Sequence, residues 1–379
     1  MPLEVPKVQV SHSADVVSAL GGLHGLPAPE PAMGVEAYEN ERRLALDSDP
    51  RRKANYQAYL DSGRNADIGY LPIKLDFENV SRCNFRCTMC TVSDWEKGKR
   101  GEDMPLDDFK RIIDEQHGLL EMKLQGIGEP LMQGDPVFEM IRYARGKNIW
   151  VRTATNGSLL HLKDNYRKLI DSGVNEVQIS VDGASKDVFE SIRRGSVFER
   201  VVKNCKLING YCREQGLQRT KMWTVMQKAN RHQMNDLVRL GADVGFDQMV
   251  FSITLTDWGS KKWQKANDDS GVERAELLEA ATGAIALGAE LGIKVRFWDM
   301  AEKYSQATKG TLCPWPFERA FVSSDLKVVP CCMIGNPDAC NLGQLGHFSD
   351  VWNSEAYRTF RQAHISGDLP DICVGCYER

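Results

Sequence analysis

From residue 70 to 300 the sequence alternates between strand-length and helix-length segments, and that rhythm admits few folds. Strand-like runs stand at LPIKLDFENV (71–80), EMKLQGIG (121–128), IWVRTATN (149–156), EVQISVDG (176–183), KMWTVMQ (221–227), QMVFSIT (248–254) and IKVRFWD (293–299). Between them lie stretches such as LDDFKRIIDEQHGLL and VFERVVKNCKLINGYCREQG, with apolar residues at three- and four-residue steps. Strand alternating with helix predicts parallel βα units. Six or seven such units predict an α/β barrel, or an open part of one, whose chemistry sits on loops leaving the C-terminal ends of the strands.

The flanks read differently. Residues 1 to about 34 include GGLHGLPAPEPAMG, a Gly/Pro-rich tail, and residues 35–62 predict a helix in two pieces broken near Asp49-Pro50. After about residue 305, TLCPWPFERAFVSSDLKVVPCC predicts a hairpin turning at SSD, followed by a helix and a terminal LPDICVGC. The predicted domains are thus 1–66, a tail with a helical extension; 67–304, the partial barrel; and 305–379, a small α+β appendage. The net charge of −4 gives no general pull toward nucleic acid or anionic lipid. No apolar run approaches the roughly 20 residues that span a bilayer, and the first residues lack a basic start and apolar core. The expected location is cytoplasmic, with neither nucleic acid nor membrane as a partner. In that reducing compartment eleven cysteines fit metal better than disulfides.

Three of them, Cys83, Cys87 and Cys90, fall in SRCNFRCTMC (81–90), directly after the first predicted strand. Clustered thiolates select zinc or iron–sulfur clusters. A structural zinc site would need a fourth ligand, and none lies near in sequence. A cubane has four irons, so three thiolates leave one iron open to a small molecule. Cys205 and Cys212, at i and i+7 with Ile208 between, have the spacing of a buried helix face.

C-x3-C-x2-C with an aromatic residue, Phe85, before the second cysteine resembles the signature of the radical S-adenosylmethionine (SAM) superfamily. Other stretches resemble further motifs of that family, each at the end of a predicted strand. GIGEP (126–130) resembles its Gly-Gly-Glu-Pro motif, with Ile127 interposed. The resemblance implies that Gly126, Gly128 and Pro130 shape the turn and that Glu129 accepts the SAM ammonium. TATNG (153–157) would place Thr155 and Asn156 against SAM. ISVDG followed by SIRRGS would place Ser180 and Asp182 near the ribose and Arg193 on the carboxylate, with Arg194 the alternative. Asn230, in MQKANRHQMNDL, is a further candidate.

Cys313, Cys331, Cys373 and Cys376 resemble the ligand set of the auxiliary-cluster domain called SPASM, or its shorter relative twitch. Cys332 rivals Cys331 for one position, and Cys340 reads as structural. Four thiolates would complete one cluster suited to electron transfer or support; a zinc ribbon from the same four is the alternative. The expected cofactors are therefore two [4Fe–4S] clusters and SAM. Family chemistry implies reductive cleavage of SAM to a 5′-deoxyadenosyl radical and hydrogen abstraction from substrate. A sugar- or cyclitol-like substrate, oxidised with the auxiliary cluster as electron acceptor, is the first expectation. Peptide modification by thioether or carbon–carbon crosslinking is the second. Epimerisation, with Cys205, Cys212 or Cys340 as hydrogen donor, is the third. A flavodoxin- or ferredoxin-like protein would supply electrons. TLTDWGSKKW (254–263) follows the sixth predicted strand, and its Asp257 and Trp258 are expected to meet the substrate, with Lys261 and Lys262 beside them.

Overall fold

The structure is a computed structural model that describes residues 26–94, 102–298 and 304–377. The predicted tail therefore lies largely outside the described residues, as do residues 299–303 just before the expected barrel boundary at 304/305. Seven strands pair in parallel and in chain order: β1 (Lys74–Phe77), β2 (Glu121–Leu124), β3 (Trp150–Thr155), β4 (Glu176–Ser180), β5 (Thr220–Val225), β6 (Gln248–Ser252) and β7 (Lys294–Trp298). The hairpin predicted after residue 305 continues this sheet. Its first strand, β8 (Arg319–Val322), pairs in parallel with the other edge of β1. It turns through Ser323–Leu326, where Leu326 takes a left-handed φ of 61°, into antiparallel β9 (Lys327–Val329), which pairs with β10 (Gly343–Gln344). β7 and β10 are the two ends of this ladder, so the barrel is partial.

Alternation within each strand sets what faces where. Leu75, Phe77, Met122, Leu124, Val177, Ile179, Met222 and Phe251 are buried beneath the helices. Cys205 and Cys212, on the helix Phe198–Glu214, belong to this core, as their spacing predicts. The opposite face is polar, unlike the usual apolar faces of a parallel sheet. Near the strands' N-terminal ends its charges are paired. Lys221 meets Glu176 at 2.9 Å, Arg152 meets Glu121 at 3.0 Å, and Lys74 lies 3.9 Å from Glu121 and 3.7 Å from Glu318.

The N-terminal extension closes that end. Phe297 N–H donates to Pro27 O at 2.8 Å, Ala32 N–H donates to Glu176 Oε2 at 2.9 Å, and Lys221 donates to Glu30 O. Helices α1 (Val35–Ser48) and α2 (Pro50–Asp61) break at Asp49-Pro50, where Asp49 caps α2 by accepting from Arg51 N–H. Tyr38 of α1 donates to Glu121 Oε2 at 3.0 Å, and Tyr59 of α2 to Glu318 Oε2 at 2.6 Å.

Candidate active site

Loops from the C-terminal ends of β1 to β4 converge on a cavity of about 350 Å³. The loop after β1 carries Cys83, Cys87 and Cys90, and all three line the cavity with Phe85. Its position is set by a two-residue antiparallel pairing, Arg86–Cys87 with Arg193–Arg194, which brings Arg193 beside the thiols. Burial pushes the Cys83 and Cys90 thiols up to about 12, with Glu129 the next cause at Cys83 and Cys87 at Cys90. A positively charged metal is what would hold such buried thiols as thiolates. Among the described residues no three His, Cys, Asp or Glu side chains converge on the point a single ion would need. A cluster with a separate iron behind each sulfur asks for no such convergence, so the donor set fits one.

GIGEP is held by close packing. A Cβ on Gly126 would lie 2.1 Å from the Glu78 side chain, and one on Gly128 would lie 2.2 Å from Val80 O. Both positions therefore exclude any side chain. Glu129 is buried and accepts from Leu131 N–H at 3.3 Å, Thr155 Oγ1 at 2.6 Å and Asn156 N–H at 2.7 Å. Burial raises its carboxyl and these donors oppose the rise. The side chain thus joins the β2 exit to the β3 exit. Asn156 reaches on to the cysteine loop, donating to Asn84 Oδ1 at 2.9 Å.

Arg193 lines the cavity and is gripped from behind. Its Nε and Nη2 both lie 2.7 Å from Asp182 Oδ2, while Asp182 Oδ1 accepts from Val225 N–H. Ser180, Gly126, Gly128, Glu129, Thr155 and Asn156 line the same cavity. Asp182, Pro130, Arg194 and Asn230 do not. Asp182 lies under Arg193, and Pro130 opens the short helical turn Pro130–Gln133. Asn230 donates to the carbonyls of Asp182 and Val225, tying the β4 exit to the β5 exit.

Trp258 lines the cavity from the loop after β6, with a left-handed φ of 56° and its Nε1 3.4 Å from Met89 O on the cysteine loop. Asp257 is outside the lining and caps this turn by accepting from Gly259 N–H at 2.9 Å. Lys261 opens the next helix, exposed, and Lys262 pairs with Asp94 at 2.6 Å. On the far wall, Cys331 has its thiol pushed up by burial and then by the thiols of Cys332, Cys373 and Cys313. Cys373 is likewise raised by burial, then by Cys313 and Cys376. These four predicted ligands are therefore neighbours. Cys332, beside Cys331, also lines the main cavity, which Cys205, Cys212 and Cys340 do not.

Lumen residues below these loops carry no motif: Asp76, Lys123, Arg152, Gln178, Trp223 and Arg319 all line the cavity. Their signal is alternation itself. KLDF, EMKLQ, WVR and KMW place polar or aromatic residues at every second position with apolar residues between them.

Residues 80–241 match the radical SAM superfamily profile and residues 313–377 match the iron–sulfur cluster-binding SPASM domain. The chain is 26% identical over 317 residues to a tungsten-containing aldehyde ferredoxin oxidoreductase cofactor-modifying protein of Pyrococcus furiosus, covering 76% of this chain and 82% of that one. It is also 26% identical over 339 residues to an AdoMet-dependent heme synthase of Methanosarcina barkeri, covering 81% and 92%. The fold is similar to that of SuiB of Streptococcus suis bound to precursor peptide SuiA, with a TM-score of 0.59 and 16% identity over 81% of this chain and 70% of that one. No helix among the described residues is long and apolar enough to cross a membrane. With its cysteine loop, its parallel partial barrel and these two domain matches, the chain belongs to the radical SAM superfamily as an enzyme with a SPASM domain, binding SAM and iron–sulfur clusters.

Proposed function

We propose that this enzyme oxidises a small hydroxylated substrate, sugar- or cyclitol-like, held in the barrel lumen between two clusters. Cys83, Cys87 and Cys90 would hold one, and Cys313, Cys331, Cys373 and Cys376 the other. When bound, these groups and SAM supply a hydrogen-abstracting radical at one wall and an electron acceptor at the other. The observation that carries the reading is one continuous cavity. It runs from the cysteine loop to Cys332 and Trp315, beside the second cysteine group, and its about 350 Å³ lies at the low end of the range for small-molecule sites.

The chain's own part is binding and exclusion of water. Glu129 and Arg193 would meet the two charged ends of the SAM methionine moiety, with Ser180 toward its ribose. Trp223, Trp298 and Trp258 present flat apolar faces to the substrate. Asp76 is buried with Oδ2 free of hydrogen bonds, and would accept from a substrate hydroxyl. A flavodoxin- or ferredoxin-like protein would deliver the electron.

The test is anaerobic turnover with dithionite and SAM on a panel of carbon-deuterated sugars and cyclitols, with a deuterated peptide beside them. Deuterium should appear in 5′-deoxyadenosine from a member of the first set. Label arriving only from the peptide would defeat the reading in favour of peptide modification. Cys373→Ala should lower bound iron from about eight to about four per chain. It should also stop product formation while 5′-deoxyadenosine still accumulates.

A further inference from the structure

Lys123, at the middle of β2, reaches the cavity with neither an ion pair nor a hydrogen bond among the described residues. Its cationic neighbours are engaged: Lys74 with Glu121 and Glu318, Arg152 with Glu121, and Lys221 with Glu176. Asp76 is its register partner across the β1–β2 ladder, yet no ion pair joins them. Other polar atoms of this wall are also unmatched. Arg152 Nε and Arg319 Nε lack acceptors, while Asp76 Oδ2 and Gln125 Oε1 lack donors. Arg319 and Asp76 are 4% and 2% exposed, so bulk water does not satisfy them. Buried polar atoms are ordinarily paired, and the half-buried Lys123 adds a cation without an ion pair to the same wall.

We propose that this wall is an anion subsite that binds a phosphoryl or carboxylate group carried by the substrate's hydroxylated skeleton. Lys123 supplies a point charge to the anion, and the guanidinium edges of Arg152 and Arg319 add directed N–H donors. Asp76 and Gln125 take hydroxyl hydrogens from the same molecule. The substrate is then a hydroxylated acid or a phosphate ester, and its anion fixes which carbon faces the SAM site. Burial and the adjacent Arg152 both push the Lys123 amine below the ordinary lysine value. The ligand-free wall therefore carries its charge at a cost that an arriving anion removes. The inference rests on the reading above that the lumen is the substrate site.

The experiment is calorimetry on the anaerobically reconstituted, SAM-saturated enzyme with inorganic phosphate, acetate, glucose and glucose 1-phosphate. Phosphate or acetate should bind the wild type and bind Lys123→Gln at least about tenfold more weakly, with the better of the two identifying a phosphoryl or a carboxylate substrate. Lys265→Gln, on the exposed side of the helix Lys261–Ser270, controls for the lost charge and should bind as wild type. Without any anion, Lys123→Gln and Lys123→Met should both melt above the wild type, because each removes a half-buried cation that burial and Arg152 disfavour and that no ion pair holds. Equal anion affinity in wild type and variants, or variants that melt lower, would overturn the proposal. Phosphate binding that depends on Lys123, with glucose 1-phosphate no tighter than phosphate, would instead defeat the sugar reading and leave the anion subsite standing.

Discussion

Glu129 spends one buried carboxylate on three donors from two loops, so its role is first to hold the cavity's shape. Glu129→Ala strands the Thr155 hydroxyl and the Asn156 N–H, and each buried donor left without an acceptor costs about 1–3 kcal/mol. The variant should therefore unfold at lower denaturant and bind SAM more weakly even if its cluster is fully loaded. Glu129→Gln keeps an acceptor but turns an amide toward one of the donors, and should fall between. Equilibrium SAM binding alongside denaturant melts separates the two losses; weakened binding with unaltered stability would mean that the carboxylate touches SAM without supporting the loops. At this scale the sequence was legible where a motif ties residue type to backbone geometry. Gly126, Gly128 and Glu129 could be singled out from GIGEP, although the crowding that demands the glycines comes from Glu78 and Val80. Lys123 and Arg319 could not, because a charged residue in a strand declares its lumen only when the register of neighbouring strands is known.

Each of the seven barrel strands was legible from its run of apolar and β-branched residues, yet most were expected to run two to four residues too far at the C-terminal end. The overrun has a physical cause. Residues such as Gln125–Gly128 and Val181–Gly183 keep a strand-like composition while their backbones leave the ladder to build the site. The loop after β6 carries a different mark, Trp258 at a φ of 56°, where a side chain other than glycine's costs about 1–2 kcal/mol. Strain of this kind persists where surrounding structure enforces it, and here the enforcing contacts are the Asp257 cap and the Met89 carbonyl. Trp258→Ala and Trp258→Gly lose the same indole, but only glycine relieves the backbone. The glycine variant should therefore be the more stable of the pair by about 1 kcal/mol in urea unfolding. Both should raise KM, since both remove a wall of the cavity. Equal stabilities would show that the loop relaxes when the indole is gone, and that the indole rather than the fold holds the turn.

The molecule closes its lumen from three sides, and only one was foreseeable. The barrel followed from alternation. The junction of β8 with β1 did not, because parallel pairing between segments some 240 residues apart leaves no local trace. The plug at the floor was equally silent: Gly/Pro-rich composition marks irregular backbone but not the surface it packs on. That plug is chemically specific. Glu30 pairs with Arg296 at 3.2 Å, its carbonyl takes the Lys221 ammonium, Ala32 N–H meets Glu176, and Pro27 O caps the Phe297 N–H of β7. Deleting residues 1–33 removes all four partners and opens the Lys221–Glu176 pair to water. At about 1 kcal/mol per lost partner, and about 2–4 °C per kcal/mol as for domains of about 150–250 residues, the melting temperature should fall by roughly 8–16 °C. Function should fail in a distinct way. Water and solvent hydrogen donors entering from below would quench the radical before the substrate does. The ratio of 5′-deoxyadenosine to product should then rise in the truncated enzyme while total SAM cleavage continues, a pattern that simple loss of folded protein cannot produce. An unchanged ratio in protein that still melts as wild type would mean that the lumen is sealed by the charged pairs of the strands themselves, and that the plug is packing alone.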